Sequence, residues 1–313
     1  MNNLTRRNFL LSTTGLLAAT KLVTAANFAA KKPFLAFSTL GCPKWTLNQI
    51  LDAAVKDGYD AIEIRGLEGQ MDLTKSPAFD SPDHIASTRK LAAGKGIKIV
   101  NLGASTQLHH ADPATRKRHL DEAKRFITLA DQLACPYVRV FPDALPKDQD
   151  RAATLDRIAQ GLIELADYAK GSQVSVLLET HGDGVQTDEL VSMMQKASSP
   201  KVGLIWDVFN MWSVTNEPPA EVYEKLKPYI RHTHIKDAKL VDGKHRYTAL
   251  GMGDSPIFEA IAALKKGGYS GYYSFEWEKT WHPEIEEPEV VFPQYPKAFR
   301  QFYYSGHKPQ KTE

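Results

Sequence analysis

The chain of 313 residues has only two cysteines, Cys42 and Cys135, so it can close one disulfide at most. It also lacks a strong charge of either sign, with 39 Lys and Arg against 37 Asp and Glu. No basic run rises above a solvated helix face such as Arg116-Lys117-Arg118, and nothing points to a polyanion, so nucleic acid is excluded as a partner. The apolar stretch from Leu10 to Ala19 is closed by Lys21. At about ten residues it falls short of the roughly twenty that span a bilayer, which excludes a stable membrane span. A glycine-rich phosphate loop of the Rossmann or P-loop kind is missing after the first expected strand, and with it the main argument for an open nucleotide-binding sheet.

What the N-terminus does contain is an address. Thr5-Arg6-Arg7-Asn8-Phe9-Leu10 sets a pair of arginines ahead of the uncharged apolar stretch, and small residues follow from Thr24 to Ala30. Val23-Thr24-Ala25 offers small residues at the spacing of a cleavage site. We therefore expect residues 1–25 to be a signal peptide and residues 26–313 to be the mature domain. No cysteine follows closely enough for lipidation. The segment resembles the twin-arginine signals with which bacteria export folded proteins, so the expected partner is the twin-arginine export machinery and the expected compartment the periplasm. Folding before export would let the cytoplasm choose a metal, since site affinities otherwise favour copper and zinc. Residues 1–25 carry Arg6, Arg7 and Lys21 and no acid, so their removal takes the net charge from +2 to −1.

Beyond this segment a strand followed by a helix recurs about every thirty residues, with no composition break to mark a second domain. The expected strands are Phe34–Ser38, Ala61–Arg65, Lys98–Leu102, Tyr137–Phe141, Val174–Thr180, Val202–Asp207, Ile230–Lys236 and Tyr272–Trp277. The helical patterns are Leu47–Lys56, Pro82–Ala93, Pro113–Leu133, Arg151–Lys170, Asp188–Lys196, Pro219–Leu226, Ile257–Lys266 and Gln294–Tyr303. Ser81-Pro82-Asp83 and Asp112-Pro113 carry helix-start signals with proline at the first helical position. Gly94, Gly171 and Gly267 fit helix ends. Eight strands alternating with eight helices favour closure into an α/β fold, a single-domain (β/α)8 TIM barrel. Cys42 then follows the first strand and Cys135 precedes the fourth, at opposite ends of the barrel, so no disulfide is expected.

In such a barrel the site forms at the carboxyl ends of the strands. Glu179 closes the apolar strand Val174-Ser175-Val176-Leu177-Leu178, Asp207 closes Gly203-Leu204-Ile205-Trp206, and Glu276 closes Tyr272-Tyr273-Ser274-Phe275. His232 and His234 alternate on the strand between the last two, with His234 nearer the top. Singly, each has an ordinary account as a buried ion pair, a helix cap or a core histidine. Together they place three acids and an imidazole at one barrel mouth. Three acids there repel strongly, and a divalent cation is the simplest way to stabilise them. The donor set is mostly hard, which suits Mn2+, Mg2+ or Co2+, with Zn2+ also open.

Leu177-Leu178-Glu179-Thr180-His181-Gly182, Leu204-Ile205-Trp206-Asp207, His232-Thr233-His234-Ile235-Lys236-Asp237 and Phe275-Glu276-Trp277-Glu278, with Tyr59-Asp60-Ala61-Ile62-Glu63, resemble the sugar phosphate isomerase/epimerase family, the xylose isomerase-like barrels. The resemblance implies one divalent metal, expected to be manganese, on Glu179, Asp207, His234 and Glu276, and a small carbohydrate substrate. It sets Glu179 and Glu276 on opposite faces of the sugar, as the catalytic pair, and His181 and Lys236 near substrate oxygens. Asn210 stands where ketose 3-epimerases of the family have histidine, and Leu240 where they have arginine, for which Arg246 is the expected substitute. Glu63, Arg65 and Arg139 fit either substrate contacts or salt bridges. The expected chemistry is proton removal next to a carbonyl by one glutamate and proton return by the other, giving epimerisation or isomerisation. A lyase or hydrolase acting on 3-keto-glycosides would use the same first step. A metal-dependent endonuclease would need a basic face that the sequence lacks. A sugar-binding protein without turnover would keep aromatics such as Trp206, Trp212 and Trp281 but would not need two opposed glutamates.

Overall fold

The structure, a computed structural model, describes residues 32–309. The expected signal peptide, residues 1–25, lies outside the described residues. Eight strands carry the fold: β1 (Phe34–Ser38), β2 (Ala61–Ile64), β3 (Lys98–Gln107), β4 (Tyr137–Phe141), β5 (Ser175–Glu179), β6 (Val202–Asp207), β7 (Ile230–Ile235) and β10 (Tyr272–Phe275). They close in the order β1-β10-β7-β6-β5-β4-β3-β2, and every pair is parallel. The single-domain (β/α)8 barrel expected from the sequence is therefore the fold.

The alternation of side chains explains both layers. Leu35, Phe37, Ile62 and Ile64 join the main core, whereas their strand neighbours Ala36 and Ala61 form a separate small cluster with Val100. Other buried polar groups on the strands, among them Ser38, Glu63, His232, His234 and Ser274, fill the barrel at higher levels. The strands are thus apolar toward the helices and increasingly polar toward one end of the interior.

The connecting helices are α1 (Leu47–Asp57), α2 (Pro82–Gly94), α3 (Pro113–Gln132), α4 (Arg151–Tyr168), α5 (Thr187–Ala197), α7 (Pro219–Leu226), α8 (Ile257–Lys266) and α9 (Pro288–Ser305). Their starts follow local chemistry. Thr46 and Gln49 form a capping box on α1, and Ser81, Asp112 and Asp150 cap α2, α3 and α4 through side-chain oxygens. Among the described residues no helix is long and apolar enough to cross a membrane. Cys42 and Cys135 are both buried and free.

Three segments depart from the expected pattern. A further helix, α6 (Val208–Thr215), begins directly after β6, and a two-stranded antiparallel hairpin, β8 (Asp237–Val241) and β9 (Lys244–Thr248), follows β7. The hairpin turns at Asp242 and Gly243, with φ of 50° and 74°, the conformation that an Asp-Gly pair supplies. Helix α9 starts well before Gln294 and runs through Pro293 and Pro296. Pro296 has no N–H to give the Phe292 carbonyl, but the Tyr59 hydroxyl donates to that oxygen at 2.8 Å. The apolar face of α9 holds it in place: Val291, Phe292, Tyr295 and Phe299 are fully buried, and Tyr295 stacks on Phe275 at 4.5 Å.

Candidate metal centre and pocket

Glu179 ends β5, Asp207 ends β6, His234 lies near the end of β7, and Glu276 directly follows β10. Their ligand atoms all lie within 4.8 Å of one another and all four residues are buried. The four residues read from the sequence as metal ligands thus converge on one point.

Asp207 is fixed from three directions. Its Oδ1 accepts the Asn210 N–H at 2.9 Å and so caps α6. Its own N–H donates to Thr180 Oγ1 at 2.9 Å, and that hydroxyl donates to the Asp207 carbonyl at 3.1 Å. What remains is Oδ2, a fully buried oxygen that accepts no hydrogen bond. Lys236 Nζ, 2.7 Å away, is its ion-pair partner. A buried carboxylate oxygen whose lysine is shared with Glu276 and Glu278, and which lies beside Glu179, fits a cation.

His234 is held by Glu63, which reaches across the barrel from β2. Glu63 Oε2 lies 3.0 Å from His234 Nε2 and 3.0 Å from His232 Nε2, and accepts the Asn101 amide N–H at 3.1 Å. The Nε2 of His234 therefore carries a proton, and Nδ1, which faces Glu276 Oε1 at 3.2 Å and Glu179 Oε1 at 3.3 Å, is the nitrogen that would have to lose its proton to a cation. A carboxylate behind a histidine in this way fixes the ring and raises its basicity as a ligand. Glu63, His232 and His234 also lie close enough together to be considered a metal site. Both ring nitrogens there are committed to the same carboxylate oxygen, so we assign them to hydrogen bonding.

Each glutamate has one oxygen toward the cluster and one on a basic side chain. Arg139 Nη1 donates to Glu179 Oε2 at 2.7 Å, and Lys236 Nζ donates to Glu276 Oε2 at 2.5 Å. Lys236 also donates to Glu278, whose Oε1 accepts the Tyr247 hydroxyl at 3.2 Å. The electrostatics follow from these contacts. Burial opposes ionisation of Glu179 and Glu276, yet Arg139 at the first, and His234 with Lys236 at the second, hold both below the ordinary carboxylate range. At His234 burial opposes the charge, but Glu276, Glu63 and Glu179 lift the imidazole well above its usual value. Asp207 goes the other way. Burial, against the charge of Lys236 and with Glu276 and Glu179 adding to it, pushes its pKa up to about 8.

Above the cluster opens a cavity of about 220 Å³ lined by Glu179, Glu276, Arg65, Arg139, His181 and Asn210, with Trp281 and Glu278 at its side. His181 and Asn210 thus stand where substrate contacts were expected. Glu63, Lys236 and Arg246 do not. Glu63 is buried below His234, and Lys236 is fully buried with its ammonium among three carboxylates. Arg246 is exposed on β9 and does not line the cavity. Glu63 instead meets His234, Lys236 meets Asp207, Glu276 and Glu278, and Arg246 stands exposed on the hairpin. Gln107, at the end of a β3 longer than expected, joins the lining unannounced.

The family model described as xylose isomerase-like TIM barrel matches residues 51–294. An uncharacterised Escherichia coli protein, YihM, is 26% identical over 68% of this chain, which spans 60% of that protein's length. Fructoselysine 3-epimerase of Shigella flexneri is 23% identical over 84% of this chain and 95% of its own. The 3-dehydroshikimate dehydratase of Bacillus anthracis is 22% identical over 69% and 78%. Among solved structures, the IOLI protein with a bound zinc atom shares the fold at a TM-score of 0.73, with 21% identity over 87% of this chain and 99% of the other.

Proposed function

This chain belongs to the xylose isomerase-like TIM barrel family, and on that premise we propose that it is a metal-dependent isomerase or epimerase that removes a proton next to the carbonyl of a sugar or keto-sugar. Glu179 and Glu276 support this most directly, because both line the cavity while each keeps one oxygen in the ligand cluster. Glu179, Asp207, His234 and Glu276 would hold one divalent ion; we expect manganese, and the mostly hard donor set suits magnesium or cobalt as well, with zinc also open. When bound, the ion would supply Lewis acidity toward a substrate carbonyl oxygen and the hydroxyl beside it.

The residues of the chain do the rest. Arg139 at Glu179, and His234 with Lys236 at Glu276, favour the ionised form of both glutamates, so either can accept the proton from the carbon next to the carbonyl. For inversion the other glutamate must enter the cycle already protonated from solvent, so that it can deliver that proton to the opposite face, whereas return of the abstracted proton to the neighbouring carbon by the first glutamate gives the isomer. His181 and Asn210 stand ready to bind hydroxyls. Solvent-deuterium exchange tests this: incubation with a panel of keto-sugars in D2O should place deuterium next to the carbonyl. A metal-loaded protein that exchanges no proton on any of them while binding them would make it a sugar-binding protein instead.

The dehydratase among the relatives favours a second outcome of the same first step. Loss of a substituent β to the carbonyl would then make the protein a lyase or hydrolase on 3-keto-glycosides, and product analysis separates the two. The place of action we propose is the periplasm, reached through the twin-arginine export machinery. Arg6 and Arg7 ahead of the Leu10 to Ala19 stretch support it.

A further inference from the structure

One wall of the cavity is built from two arginines laid side by side. Arg65 directly follows β2, Gly103 lies on β3, and Arg139 lies on β4 in register with Gly103. A Cβ at Gly103 would stand 2.4 Å from Arg65 Cδ and 2.7 Å from Arg139 Nη2. The missing side chain at position 103 is therefore the space through which both arginines pass, and any other residue would push them apart. Both are nine-tenths or more buried, at 7% and 3% exposure.

Two adjacent buried guanidiniums repel, and a buried charge normally has a partner. Arg139 has one in Glu179. Arg65 forms no ion pair among the described residues. Its Nη2 donates to Ser105 Oγ at 3.0 Å, while Arg65 Nη1 and Arg139 Nε have no acceptor. Burial first, and the charge of Arg139 second, push the Arg65 pKa down to about 9, which still leaves it charged at neutral pH. Glu179, Glu122 and Glu276 favour that charge from a distance, but none of them pairs with Arg65, and both arginines line the cavity that holds Glu179 and Glu276.

We propose that the substrate carries an anionic oxygen group, a carboxylate or a phosphoryl group, which docks against Arg65 and the free edge of Arg139. Guanidinium edges match such groups through paired, charge-assisted N–H donors. The proposal rests on the isomerase reading for the identity of the cavity as the substrate site. It adds that the substrate is a sugar acid or a sugar phosphate and not a neutral sugar.

The test compares three compounds with the same hexose stereochemistry, D-glucuronate, D-glucose 6-phosphate and D-glucose, by calorimetric binding to the metal-loaded protein. At least one anionic sugar should bind about tenfold or more tightly than glucose, and which one tells carboxylate from phosphoryl. In Arg65→Met the preference should vanish, and in Arg65→Lys it should survive in part. Arg65→Met should also unfold at the same or a higher temperature and keep its metal, because it removes an unpaired buried charge. The proposal is overturned by equal binding of all three sugars, by no binding of either anion at about 10 mM, or by a preference unchanged in Arg65→Met. A large loss of stability in that variant, marking Arg65 as a structural brace, would overturn it as well. Because binding is read without turnover, a failed deuterium exchange leaves this outcome intact, and loss of the anion preference leaves exchange intact.

Discussion

Replacing Glu63 by glutamine should weaken the metal centre without touching a ligand. Glu63 Oε2 takes three hydrogen bonds, from His232, His234 and Asn101, at 3.0 to 3.1 Å. In the Glu63→Gln protein the acceptor loses its charge, and bonds to a charged acceptor are roughly twice as strong as neutral ones. His234 would keep its place but donate to a weaker partner, so its Nδ1 would become less basic. Loss of such a supporting carboxylate typically costs about 10- to 100-fold in metal affinity, or about 1.4 to 2.7 kcal/mol. Competition against a fluorescent chelator gives the dissociation constant, and a thermal melt of the same sample shows whether the barrel is intact. A folded Glu63→Gln protein that binds its ion within about twofold of wild type would refute the view that Glu63 orients and activates His234. Glu63→Ala is the poorer probe, since it strands three buried donors at about 1–3 kcal/mol each and mixes stability with affinity.

Three further expectations follow from the same contacts, and a fourth from the N-terminal arginines. Metal affinity should climb with pH below about 8 by at least tenfold per pH unit, because Asp207 and the imidazole of His234 must both give up a proton to coordinate; a flat chelator titration between about pH 6 and 8 would contradict this. In the metal-free protein the raised pKa of Asp207 stabilises the fold below about pH 4 and that contribution is lost as the pH rises to about 8, which urea unfolding at several pH values would read. Glu179→Gln and Glu276→Gln should each lower turnover by about 10²- to 10⁴-fold at equal metal occupancy, and near-normal rates in both would remove the two-glutamate scheme. Changing Arg6 and Arg7 together to lysine should leave a folded precursor in the cytoplasm, and unchanged delivery in a fractionation experiment would remove the export proposal.

Most of the frame was legible because its signals are local. Apolar strands ending in an acid gave Glu179, Asp207 and Glu276 their places, and Ser81-Pro82 and Asp112-Pro113 marked two helix starts where the structure has them. What escaped depends on contacts across the barrel. Glu63 sits at a strand end like the ligands, and nothing in its neighbourhood along the chain says that it meets two histidines of β7. Lys236 shares the alternation of His232 and His234, but three carboxylates from β6 and the segment after β10 claim its ammonium. Arg246 was expected to reach inward from a loop, and the hairpin that carries it outward had a readable signal in Asp242-Gly243. The early start of α9 was hidden by Pro293 and Pro296, whose cost is offset by a tyrosine hydroxyl contributed from before β2.

The two oxygens of Asp207 divide their labour, one closing the first turn of α6 and the other turned to Lys236 and the ligand cluster. That division constrains what evolution can place there. A glutamate would carry the charge one carbon further from the backbone and could not close the same short ring to the Asn210 amide, whereas asparagine would keep the cap and surrender the charge. Among barrels in which a helix starts at the residue after the sixth strand, this ligand should therefore stay aspartate while its neighbours are freer to vary. The helix start acts as a filter on the metal site, inherited along with the fold and not chosen for the chemistry.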